Sequence, residues 1–324
     1  MIKKIDCRNE FSSKVMELAN IDDRIVVVCN DSISSSGMTE FDVRFPNRMF
    51  NVGIAEQNMI GVAAGLANAG LIPVVCSASA FLCARAFEQI KVDVGYSNAN
   101  VKLFGVSPGF AYGALGATHH SPEDVALIQA IPNIFIAVPG DPAETRSATE
   151  AAIKHQGPTF VRILRTPVSS FSQESIRFEF GKSHKLRAGS DVLFIANGLM
   201  VQETIGAIDI LEKQNVSCGL INASSVRPID EIILFKEAAN YRFIVTVEEG
   251  NSCGGMGSRV AQIILGKNSK PIMNLGVSDF APTGSTEQIL KHFGLTSEGI
   301  ANSTIKLINV SNESSFMHTF SYPL

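Results

Sequence analysis

The 324-residue sequence predicts an α/β fold of two doubly wound domains, each with a mainly parallel sheet. Three observations carry this reading. Short continuous apolar runs, such as Arg24-Ile25-Val26-Val27-Val28-Cys29, suit strands covered on both faces. They alternate with stretches of helical length and pattern, as βαβ units do. The alternation stops in a polar stretch at 169–185, which carries Phe171, Phe178 and Phe180, and then begins again. The first domain is therefore placed at 1–170, a linker at 171–188 and the second domain at 189–324.

In order, residues 8–19 read as a helix, 24–29 as a buried strand and 30–37 as a polar loop. A helix at 57–68 is rich in Ala, Gly, Val and Leu and is expected to pack deep inside the protein. A strand at 72–77, a helix at 80–94 and a strand at 101–106 follow, then a Gly-rich loop at 107–120. A helix at 124–130, a strand at 134–138, a helix at 142–154 and a strand at 159–164 complete the first domain. The second repeats the pattern: strands at 192–196, 217–222, 243–248 and 271–275, and helices at 201–213, 231–239, 255–265, 286–293 and 297–308. The tail beyond Val310 is polar with isolated aromatics and is expected to be loosely held. In parallel sheets ligands gather beyond the carboxyl ends of strands. The segments that contain Asp31, Ser107 and Arg165 each follow a strand, so they are expected on one face.

Composition excludes several function classes. Hydrophobic residues make up 45% and charged residues 18%, which favours large buried surfaces. A net charge of −4 without long charge runs argues against nucleic acid or an anionic membrane as the partner. The stretch 59–76 has the length and apolar character of a membrane span, but Asn68, Gly70 and Pro73 break it into helix, turn and strand. The six cysteines form no C-x-x-C pair, so no metal site is expected from them, and they read as buried thiols of a cytoplasmic protein. In the second half, Gly255-x-Gly257 begins a dinucleotide fingerprint, but Val260 stands at the third glycine position and nucleotide binding is not expected.

The candidate site starts at Glu56, where a glycine-containing strand end meets the apolar 57–68 helix. A carboxylate there is either a helix-start acid favoured by the macrodipole or an acid at the edge of a dry region. The run NVGIAEQNMIGVAAGLANAG, residues 51–70, resembles the pyrimidine-binding domain of the transketolase family. The resemblance covers about residues 8–308. It implies a thiamine-diphosphate pyrimidine-binding domain followed by a smaller transketolase C-terminal domain. It casts Glu56 as the acid that hydrogen-bonds the cofactor's aminopyrimidine and promotes proton loss at the thiazolium carbon. An apolar setting is expected to keep that carboxyl protonated near neutral pH.

Other positions follow from the same resemblance. Phe81, in Ser79-Ala80-Phe81-Leu82, matches the aromatic that stacks on the pyrimidine. His119, in Gly116-Ala117-Thr118-His119-His120, matches the histidine near the reacting carbon. Arg165 and Arg8 match arginines that bind the substrate phosphate, and Ser35 a serine near it. Two positions depart from the family: Leu115 stands where an acid reads a sugar hydroxyl, and Ser107 where a second histidine stands. A site built for hydroxyls that loses an acid should change its substrate choice. The family's G-D-G…N segment, which holds the diphosphate through Mg²⁺, does not occur in this sequence.

The resemblance therefore implies the C-terminal subunit of a split transketolase. It would transfer a two-carbon ketol unit between sugar phosphates of atypical structure, with thiamine diphosphate bound between chains. An N-terminal partner subunit would hold Mg²⁺, and a heterotetramer with a dimeric core is the default assembly. A 2-oxoacid dehydrogenase E1 β-type subunit, a deoxyxylulose-phosphate synthase and a non-catalytic interaction subunit are the alternatives.

Overall fold

A computed structural model describes residues 4–171, 177–265 and 270–312. The chain runs α1 (Cys7–Ala19), β1 (Ile25–Cys29), α2 (Thr39–Arg44), β2 (Met49–Asn51), α3 (Glu56–Asn68) and β3 (Ile72–Ala78). Next come two π-helical turns, Phe81–Arg85 and Ile90–Tyr96, flanking α4 (Phe87–Gln89), then β4 (Lys102–Val106) and a 3-10 turn at Gly113–Thr118. The first half ends with α5 (Asp124–Gln129), β5 (Phe135–Ala137), α6 (Pro142–Lys154) and β6 (Thr159–Ile163). The second half holds β7 (His184–Arg187), β8 (Val192–Ala196), α7 (Met200–Glu212), β9 (Cys218–Asn222), β10 (Ser225–Arg227) and α8 (Glu231–Ala238). It closes with β11 (Phe243–Asn251), α9 (Met256–Leu265), β12 (Ile272–Val277), α10 (Thr286–His292) and α11 (Ser297–Asn312).

Two sheets result. One has the order β10-β5-β6-β4-β3-β1-β2 and the other β12-β11-β8-β9-β7. Strands β1, β3, β4 and β6 are parallel neighbours and every residue of β1, β4 and β6 is buried, including Lys102 of β4 and Thr159 and Arg162 of β6. Their parallel course puts the segments after β1, β3, β4 and β6 at one edge of the sheet. Helix starts follow local chemistry. Asp6 caps α1 by accepting from Arg8 N, and Asp141 caps α6 by accepting from Glu144 N, with Pro142 in the first turn.

The structure departs from the sequence reading at several points. The 171–188 segment is not wholly a linker, because His184–Arg187 pairs antiparallel with β9 as an edge of the second sheet. Within the same segment Phe178 is buried against the first domain's core, with Phe180 packed beside it. The second half also lends a strand to the first sheet, where β10 pairs antiparallel with β5. Arg227 of that strand donates to the carbonyls of Gln129 and Ile131. The 80–94 helix is wound largely as π turns. Helix α3 does not pack deep on all sides: Gly61 and Gly65 are exposed and a Cβ at either would meet nothing within 4 Å. The tail from 313 lies outside the described residues, while α11 continues past Val310. Among the described residues no helix is long and apolar enough to cross a membrane. All six cysteines are free thiols, five of them buried and Cys253 exposed.

Buried carboxylates join the halves. Glu144 accepts from Gly140 N and from Asn222 Nδ2 of β9 at 2.7 and 2.9 Å. Glu249 of β11 accepts from Phe110 N at 3.0 Å. Glu248 accepts from Met256 N and Gly257 N, both at 2.8 Å, so the start of α9 is filled by the chain's own acid. That leaves no free helix start for a nucleotide phosphate. Burial pushes all three carboxyls up to about 7, against the bonds they accept. Gly109 has φ +58°, and a Cβ there would lie 2.2 Å from the Glu249 carboxyl carbon.

Two outcomes follow. Gly109→Ala adds left-handed strain to a clash with Glu249 and is expected to cost about 2–4 kcal/mol in denaturant unfolding. The three folded pKa values near 7 lie above the ordinary 4.5, so the folded state holds more protons between them and stability falls as pH rises through that window. The thermal midpoint should therefore decline from about pH 5.5 to about pH 7.5, with a shallower slope in Glu249→Gln. A flat wild-type profile would contradict this.

Candidate active site

The site is built at the edge where β1, β3, β4 and β6 end. Glu56 is the first residue of α3 and is 2% exposed. Its Oε1 accepts from Asn30 Nδ2 at 3.1 Å, and its Oε2 from Arg85 Nη1 at 2.9 Å. Asn30 follows β1 directly, and Arg85 closes the π turn that follows β3. Burial pushes the Glu56 carboxyl up, but the Arg85 guanidinium, a backbone N–H and Asn30 outweigh it and hold it below the usual carboxylate range. The expectation of a protonated acid in an apolar setting is therefore corrected: the lone chain holds Glu56 as a carboxylate, because Arg85 supplies the charge that apolar neighbours do not.

From Glu56 a ladder of rings and guanidinium groups crosses the site. Arg85 Cζ lies 4.3 Å over the Phe81 ring. Phe81 meets His119 edge-on, with centroids 5.0 Å apart at 70°. His119 meets Tyr112 edge-on at 5.7 Å and 76°, and Arg165 Cζ stands 4.8 Å over Tyr112. Thr118 Oγ1 lies 2.8 Å from His119 Nδ1 and fixes the imidazole from behind. The structure thus brings Glu56, Phe81, His119 and Arg165 into one continuous set of contacts.

Arg8 and Ser35 are placed nearby but are differently occupied. The Arg8 guanidinium donates to both carboxylate oxygens of Asp6, at 3.1, 3.1 and 2.6 Å, and to Ser35 O at 2.9 Å. The Ser35 hydroxyl donates to Ser32 O. Leu115 sits in the 3-10 turn and is 54% exposed. Ser107 is buried at φ +55°, and its hydroxyl has no partner among the described residues. Such backbone strain at a strand end is common in functional sites. No group of three or more His, Cys, Asp or Glu suited to a metal ion occurs among the described residues.

Sequence reasoning missed Arg85, Asn30 and Tyr112. Arg85 had a readable signal, since it lies one turn beyond Phe81 on the same helical stretch. Tyr112 lies in a Gly-rich loop without periodicity and gave none. The network behind the site was also missed. Asp124 Oδ2 accepts from Ser79 Oγ at 2.6 Å, from Ser121 Oγ at 3.3 Å and from Arg162 Nε at 3.0 Å. Arg162 further donates to Glu249 O at 2.9 Å.

Comparison with known proteins places both halves of the chain in one family. The family model "Transketolase, pyrimidine binding domain" matches residues 3–169, and "Transketolase, C-terminal domain" matches residues 181–300. The chain is 36% identical over 306 residues to one of the subunits of the apulose-4-phosphate transketolase of Phocaeicola vulgatus, covering 94% of this chain and 98% of that one. It is 36% identical over 307 residues to the 6-deoxy-6-sulfo-D-fructose transketolase subunit SqwH of a Clostridium species, covering 94% and 95%. A solved structure of a split-gene transketolase, described as an inactive beta4 tetramer, superposes with a TM-score of 0.86 at 33% identity, covering 95% of this chain and 99% of that one.

The state of Glu56 is open to direct test. With Arg85 in place, Glu56 stabilises the fold above its unfolded pKa and loses that contribution as pH falls through its lowered folded pKa. Arg85→Met leaves burial unopposed except by Asn30 and the helix start. A carboxyl ¹³C titration should then move Glu56 from below its ordinary pKa to above it, and stability at neutral pH should drop. An unmoved titration would mean that Arg85 does not control this acid.

Proposed function

The chain belongs to the transketolase family, and on that premise we propose that it is the C-terminal subunit of a split, thiamine-diphosphate-dependent transketolase. One observation carries the proposal: Arg85 lays a flat, nitrogen-bearing donor against Phe81 while bonding Glu56. A planar aminopyrimidine asks for the same two partners, an aromatic face and a buried carboxyl. The residues present therefore fit the group. Glu56 and Phe81 would hold its pyrimidine end, and thiamine diphosphate, when bound, supplies the carbanion-stabilising chemistry of carbon–carbon bond transfer.

The chain's own residues have separate tasks. Glu56 carries a proton at a ring nitrogen, which requires Arg85 to release it. Phe81 supplies a stacking face and excludes water on that side. His119, with Nδ1 tied to Thr118, leaves Nε2 for a proton on a substrate hydroxyl. Arg165 receives the anionic end of the sugar. Leu115, in place of an acid, removes one hydroxyl contact, which favours a sugar phosphate or similar anion-bearing sugar of unusual structure. The names of the two relatives, with a phosphate in one and a sulfo group in the other, support an anion-bearing substrate.

A separate subunit with a G-D-G…N segment would grip the diphosphate through Mg²⁺. The exposed Gly61–Gly65 face of α3, beside Glu56, supports a site open toward such a partner. The buried free thiols support a reducing, cytoplasmic setting.

Co-expression with a chain carrying G-D-G…N tests the assignment. The complex should bind thiamine diphosphate with Mg²⁺ at least about tenfold more tightly than this chain alone. It should also transfer a two-carbon unit from a ketose to an aldose. In that complex Glu56→Gln should lower transfer by roughly 10²–10⁴-fold. Equally tight cofactor binding by the lone chain would sink the split-site reading.

A further inference from the structure

Two arginines face the expected anionic end of the substrate, and their surroundings differ. Asp6 takes the Arg8 guanidinium in a two-oxygen pair and Ser35 O takes a further N–H. The hydrogen bonds that Arg8 gives Asp6 raise the proton affinity of its guanidinium against burial, and the Asp6 charge adds to this. Arg165 has no ion pair and no side-chain hydrogen bond among the described residues, and its guanidinium rests on the Tyr112 ring. The same ring meets His119 edge-on.

We infer that Tyr112 is the positioning residue for the substrate's anionic end, and that it sets the enzyme's preference for substrates carrying a tetrahedral oxyanion. The inference rests on the transketolase reading above and adds a residue to it. Tyr112 acts through Arg165. Its ring face holds a guanidinium that nothing else fixes, so the N–H fork is ordered before the anion arrives. Its ring edge rests against His119. A long, unpaired arginine without that ring would have to be ordered on binding, and the cost would fall on substrates that need it.

The test uses the complex with the partner subunit and two acceptors, a phosphorylated hydroxyaldehyde and its uncharged short-chain counterpart. Tyr112→Leu should raise KM for the phosphorylated acceptor about fivefold or more, with the loss lying mainly in KM rather than kcat. KM for the uncharged acceptor should stay unchanged, and Tyr112→Phe should restore wild-type values, since the ring carries the role. An equal rise for both acceptors, or none for either, overturns the inference. Should the wild-type complex transfer nothing, the proposed function fails separately, and binding of inorganic phosphate to the same complex decides this point by ³¹P NMR. A Kd weakened about fivefold in Tyr112→Leu but not in Tyr112→Phe supports the role of Tyr112. Equal values in all three proteins refute it.

Discussion

The ion pair between Arg162 and Asp124 is the contact on which the site's geometry depends. Both groups are buried, at 2% and 0% side-chain exposure. Through one oxygen Asp124 holds Ser79, two residues before Phe81, and Ser121, two residues after His119. Through Arg162 it reaches the Glu249 carbonyl on β11 of the second sheet, while the Glu249 carboxylate holds Phe110 N at the root of the Tyr112 loop. The ring ladder thus hangs from one buried cation that serves both domains. Such a pair adds little net stability over an apolar replacement, but losing one member leaves an uncompensated charge at a cost of about 3–5 kcal/mol. The arrangement is better understood as fixing a position than as strengthening a fold.

Much of the fold was legible because burial wrote itself into runs of one kind of residue. Ile25 to Cys29 could be nothing other than a covered strand, and α6 spans the 142–154 expected of it. What could not be read depended on distant contacts. Strand β10 is three residues long and exists because Ala137 and Ile136 of another domain pair with it. The π turns after β3 have the same composition as an α-helix. At the site, residue types matching a family motif marked Glu56, Phe81 and His119, because chemistry restricts what can stand there. Spacing could set Arg85 beside Phe81, but its reach to Glu56, 29 positions away, is decided only by the fold.

Arg8 and Arg165 show the same limit from the other side. In the sequence, one stands at a helix start and the other after a strand, and both match phosphate-binding positions of the family. The structure separates them through Asp6, which caps α1 through Arg8 N and pairs with the Arg8 side chain at once. That double use neutralises one arginine and leaves Arg165 as the charge able to respond to an anion. Long-range steering by the remaining charge is screened beyond about 8–10 Å at physiological salt, so placement matters more than count.

Glu56 and Arg85 set the charge state of the site in this chain. A buried carboxylate without a partner is costly, and the chain meets that cost internally by lending it a guanidinium. The two partners are unequal: Arg85 is 48% exposed and Glu56 2%. On the proposed function, a ring placed against Phe81 would displace Arg85, whose charge can return to water at small loss, while Glu56 would stay where α3 and Asn30 hold it. The exchange would replace a charge-assisted bond by a neutral one in the same pocket. It would also lift the factor that keeps the carboxyl ionised, so that burial could drive its pKa upward. On that reading, protonation of the acid is a consequence of displacing Arg85 rather than a standing property of an apolar pocket.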